Sequence, residues 1–72
     1  MTPRLPHVPK VRKNATLSLS DGTALKGYFF VDATVRIQDL LNGEREFLPF
    51  VDDDETFYLI NKHQIVSVRP GD

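Results

Sequence analysis

Apolar and polar residues alternate in the first third of the chain, which is the period of a half-buried strand. Leu17 and Leu19 fall on one face and Ser18 and Ser20 on the other. Asp21-Gly22 follows as a hairpin signal. Register chooses the turn. A two-residue loop sets Leu19 against Ala24 and turns Leu25 the same way as Ser18. A three-residue loop, Ser20-Asp21-Gly22, with Gly22 supplying a positive φ, pairs Leu17 with Leu25 and buries more apolar surface, so a bulged turn is expected. The second strand then runs from Thr23 to about Val31. It carries Leu25, Phe29 and Val31 on one face and Tyr28 and Phe30 on the other. Gly27 inside it predicts a sharp bend or a close backbone approach. Such a bend lets a short sheet curl onto itself.

Residues 35–50 admit two readings. As a hairpin about Asn42-Gly43, Val35 pairs with Phe50 and Ile37 with Leu48, all facing one way. As a helix, Ile37, Leu40 and Leu41 share a face and Gly43 stops it. The hairpin is preferred, because its register joins two apolar pairs without adjustment. Pro49 cannot donate to a ladder, so its strand is expected at an edge or with a bulge there. Asp52-Asp53-Asp54-Glu55 reads as a charged loop and Thr56 to Ile60 as a further strand. Asn61 to Gln64 reads as a tight polar turn, and Ile65 to Val68 as the last strand. The fold class is all-β.

Composition narrows the picture. Seventy-two residues make one domain with a thin core, for which association with other subunits is a natural extra source of stability. Without cysteine there is neither a disulfide nor a cysteine-ligated zinc. No signal peptide or membrane-spanning run is present in the sequence, and a cytoplasmic location without membrane contact is expected. Of nine Lys and Arg, four (Arg4, Lys10, Arg12, Lys13) precede residue 14, leaving five in a body that holds all ten acidic residues. Pro3, Pro6 and Pro9 share that basic segment at a spacing of three, the period of polyproline II. Residues 1–13 are therefore read as a basic, Pro-rich N-terminal arm, a tether rather than a proline-motif ligand, and residues 14–70 as the barrel domain. The acidic body lacks the basic footprint of a strong nucleic-acid binder.

The segment Leu17-x-Leu19-x-Asp21-Gly22-x-x-Leu25-x-Gly27 resembles the first half of the Sm1 motif of Sm and LSm proteins. Ile60-Asn61-Lys62-x-x-Ile65-x-x-Val68 is similar to Sm2. The resemblance covers roughly residues 15–68. It implies a small, strongly bent five-stranded Sm-like (SH3-type) barrel. In that family the fourth strand of one subunit pairs with the fifth strand of the next, closing a homo-oligomeric ring. It also implies RNA as a ligand, but the chain departs from the family at the positions that hold a base. Asp32 and Arg36 stand where an Asp and an Asn are usual, with Asp32 one residue too close to Gly27. Asn61-Lys62 replaces the usual Arg-Gly.

Arg36, Asn61 and Lys62 are accordingly the candidate RNA-facing residues, the ordinary alternative being turn chemistry and a solvated Arg. Asp21, Gly22 and Gly27 carry the turn and fold motif. Tyr28, Phe30 and Phe47 are candidates for a subunit interface or for the barrel's second layer. The acidic loop lacks the spacing and glycine of a calcium loop and reads as a solvated hairpin tip. Asp39 and Glu46 face each other in the preferred hairpin register, yet neither they nor His7 and His63 form a catalytic constellation. The expectation is a non-enzymatic module without cofactor or metal, forming a ring and binding RNA. A small protein-interaction or regulatory barrel with no nucleic-acid role is the alternative.

Overall fold

The alternating residues fold into a hairpin of β1 (Lys10–Leu19) and β2 (Ala24–Asp32), with Leu17 opposite Leu25. This is the register that the bulged turn requires. Gly22 has φ 90°, a conformation costly for any residue with a Cβ. Two backbone bonds close the turn, Leu19 N–H to Thr23 O at 2.8 Å and Gly22 N–H to Leu19 O at 3.0 Å. The Asp21 carboxylate accepts from the Thr23 N–H at 2.8 Å. That bond stabilises the ionised form and lowers the Asp21 pKa below its ordinary 3.8.

The computed structural model describes residues 9–71. Helix α1 (Ile37–Asn42) follows the hairpin. Three strands complete the sheet: β3 (Phe47–Asp52), β4 (Phe57–Asn61) and β5 (Ile65–Pro70). The order is β4-β3-β2-β1-β5, antiparallel throughout, and the sheet curls strongly into a half-barrel. Gly27 is buried opposite Asp52, where a Cβ would stand 2.0 Å from the Val51 carbonyl oxygen. The predicted close approach is thus one of backbone against backbone. On the concave side Ala15, Leu17, Phe29, Leu48, Phe50 and Ile60 form the core. Phe29 and Phe50 meet edge to face at 5.0 Å and 70°.

Two expectations are corrected. The hairpin about Asn42-Gly43 does not form. Residues 37–42 are helical, Phe50 pairs with Phe29 and Tyr58, and Leu48 pairs with Ile60, so neither Val35–Phe50 nor Ile37–Leu48 exists as a strand pair. Ile37, Leu40 and Leu41 pack instead against the core from one helix face. Asp39 does not face Glu46. Its carboxylate accepts from the Arg36 N–H at 3.2 Å and satisfies the helix start. Gly43 leaves the helix in extended backbone at φ −75°, which is neither a type I′ turn nor a left-handed cap.

The second correction concerns the arm. β1 begins at Lys10, so Lys10 to Lys13 are ladder residues rather than tail. Lys10 lies opposite Asp32 and pairs with it at 2.7 Å, and the Arg12 guanidinium stacks 4.6 Å above the Tyr28 ring. Pro3, Pro6, Arg4 and His7 lie outside the described residues. Pro49 sits in a strand with neighbours on both sides, but the β2 ladder ends at Phe50, leaving Pro49 paired only with Leu59 of β4. The absent N–H is accommodated by a local edge.

Candidate functional site

A half-barrel has two open edges, and here they are β4 and β5; no ladder joins them among the described residues. An open edge presents unpaired backbone donors and acceptors, a template for another strand. The apolar side chains along both edges are bare: Phe57 is 62 % exposed, Leu59 61 % and Val66 70 %. One 3₁₀ turn, Lys62–Gln64, connects the two. It is held to the tip of the first hairpin, where Ser20 N–H donates to Gln64 O at 2.8 Å and Ser20 Oγ donates to Gln64 Oε1.

The three candidate RNA-facing residues separate. Asn61 caps the 3₁₀ turn, its Oδ1 accepting from the His63 N–H at 2.9 Å. The Lys62 ammonium donates to the Gly43 carbonyl just beyond α1, and its backbone N–H to Glu46 O at 2.8 Å. A cation at a helix C-terminus complements the backbone dipoles there. Arg36 lies at the opposite end of the same helix, exposed, about 9 Å away along a six-residue helix. Asn61 and Lys62 therefore do turn and helix-end chemistry, while Arg36 stands apart.

The interface candidates do share a surface. Tyr28 and Phe30 of β2 point to the convex face, as does Phe47 of β3; Phe30 is 54 % and Phe47 52 % exposed. Strand pairing sets Tyr28 beside Val51, Val51 beside Phe57, and Pro49 beside Leu59, so the apolar surface runs unbroken across three strands. A groove of about 430 Å³ crosses it, whose charged lining is cationic: Lys10, Arg12 and Arg45. Phe57, Leu59, Arg12 and Arg45 belong to this surface although sequence reasoning did not single them out. The signal was present in the alternation of Phe57 and Leu59 with Tyr58 and Ile60.

The acidic loop is built around one acceptor. Asp52 Oδ1 takes the N–H groups of Asp54 and Thr56, each at 2.9 Å, and Oδ2 takes the Tyr58 hydroxyl at 3.1 Å. Glu55 adopts φ 63° to close the turn. With both oxygens occupied, Asp52 organises the β3–β4 turn. Its hydrogen bond to the neutral phenol, with lesser contributions from desolvation and negative charge nearby, raises the Tyr58 pKa above 10.0. Among the described residues no three His, Asp or Glu side chains converge as metal ligands, and no helix is long and apolar enough to cross a membrane. No protein-family model, curated protein or solved structure matches this chain.

Proposed function

We propose that the chain is a non-enzymatic Sm-like assembly module whose copies join edge to edge, β4 of one against β5 of the next, into a closed homo-oligomeric ring. One observation carries this reading. The sheet ends on the two strands that the Sm resemblance pairs between subunits, and both edges hold bare apolar side chains. Antiparallel addition there satisfies the edge backbone groups and covers Phe57, Leu59 and Val66. It also supplements the six-residue core of a small domain. Light scattering on the eluting protein tests this directly. The wild type elutes as one closed oligomer, and Val66→Lys, a charge on an exposed edge position, elutes as a monomer. A wild-type monomer at about 100 µM, far above a micromolar Kd, contradicts the ring.

RNA is the ligand proposed for the ring, with Arg36 as its contact. The engagement of Asn61 and Lys62 within the subunit favours the second reading, a protein-interaction barrel with no nucleic-acid role. Titration with oligouridine and oligoadenine at low and moderate salt separates the two. RNA contacts weaken steeply as salt rises, and Arg36→Ala abolishes them. A folded oligomer that binds neither oligonucleotide at low salt places the protein-interaction reading first.

A further inference from the structure

Edge pairing leaves most of the convex face uncovered. That face carries Phe30, Phe47, Phe57 and Leu59, each a little over half exposed, beside half-buried Tyr28 and Val51. A contiguous apolar surface of this kind marks a contact site. Its charges are sorted along the strands. At the end where β1 begins and β3 starts stand Lys10, Arg12 and Arg45, with Asp32 already paired to Lys10. At the other end the β3–β4 turn brings Asp53, Asp54 and Glu55 together, with Lys26 as the nearby cation. Asp53 lines a depression there with Thr16 and Lys26, and its N–H donates to Lys26 O at 3.0 Å. One face thus holds a basic end, an apolar middle and an acidic end.

We infer that the convex face pairs with the same face of a second copy, about a two-fold axis lying across the strands. Such an axis reverses strand direction between the copies, so the basic end of each lies over the acidic end of the other. An axis along the strands would stack like on like, and the charges select against it. The four exposed Phe and Leu side chains bring only about 400 Å² per copy, roughly half of a standard interface. The charged ends are therefore part of the contact and not merely its rim. Their separation also fixes which copy can dock and in what direction. The inference uses the face of the sheet and does not rest on edge pairing.

The test is sedimentation equilibrium on the full chain carrying Val66→Lys, so that edge pairing is blocked throughout. The expected result is a monomer–dimer equilibrium with dimer dominant at about 100 µM. Phe30→Asp, at an exposed position, weakens it at least about tenfold. Arg12→Glu and Asp53→Arg each weaken it, and the two combined in one chain restore it, because the symmetry sets each against the other. Far-ultraviolet dichroism matching the parent keeps loss of fold apart from loss of contact. A folded monomer at that concentration overturns the inference. So does a dimer indifferent to Phe30→Asp, or a double charge reversal weaker than either single one. A monomer that instead binds oligouridine through Arg12 and Phe30 overturns it in favour of nucleic acid on this face.

Discussion

Gly27→Ala probes the bend on which the half-barrel depends. An added Cβ would lie 2.0 Å from Val51 O, 2.6 Å from Asp52 Cα and 2.8 Å from Val51 C. All three are backbone atoms, so no side chain can swing aside; β2 and β3 must part. Three residue pairs join these strands: Gly27 with Asp52, Tyr28 with Val51, and Phe29 with Phe50. Ladder hydrogen bonds contribute about 1 kcal/mol each. The Phe29–Phe50 edge contact adds about 0.5–1.5 kcal/mol beyond its buried area. Losing most of this costs of order 3–5 kcal/mol. A domain of this length has about 4–11 kcal/mol in all, at the usual 0.05–0.15 kcal/mol per residue. Urea unfolding followed by dichroism reads the difference from the midpoint and slope. Gly43→Ala is the control, since its nearest contact would be 3.4 Å at an ordinary φ, and it changes stability by less than about 0.5 kcal/mol. A Gly27→Ala protein within about 1 kcal/mol of the wild type refutes the close approach, because a native sheet cannot hold that Cβ.

Two further predictions concern pH. The raised Tyr58 pKa means that the phenol's bond to Asp52 stabilises the fold below pH 10 and is lost as pH rises through the folded value. Tyr58→Phe therefore flattens the alkaline fall in stability, and Asp52→Asn lowers the Tyr58 pKa in an ultraviolet titration; an unchanged titration contradicts the bond. The lowered Asp21 pKa works in the opposite sense. Its contribution is present above pH 3.8 and is lost as pH falls through the folded value. Asp21→Asn can still accept from the Thr23 N–H, so it keeps the turn but removes that acid dependence, read as a shallower loss of thermal stability toward low pH. An acid profile identical to the wild type counts against the assignment.

What was legible in the sequence was what short-range register decides. Leu17 against Leu25 follows from turn length, and the two faces of β2 follow from alternation around Gly27. The β3–β4 turn, the Lys62–Gln64 turn and the last strand likewise announce themselves through acidic, polar and β-branched runs. The helix was not so legible. Ile37, Leu40 and Leu41 fit both periods, and only the packing of that face on a core assembled from distant strands excludes the strand. Lys10 to Lys13 looked like tail because their partners, Asp32 and Tyr28, lie some twenty residues away and are met only across the sheet. The site residues failed for a related reason. A motif position says which residue stands in a loop, not which backbone group that residue will satisfy. Lys62 reaches the end of α1 because α1 exists, and the hairpin reading had removed it. The interface aromatics were easier, since a strand apolar on both faces demands a second partner for one of them.

Backbone amide hydrogen exchange, resolved by residue at a concentration where the oligomer dominates, tests edge assembly most directly. The outward-facing amides of β4 and β5 should be protected alongside those of the β1–β2 ladder, and Val66→Lys should release only the edge pair. Edge amides that exchange as fast as those of a loop, in a protein whose β1–β2 amides stay protected, would mean that each copy keeps its sheet open to water.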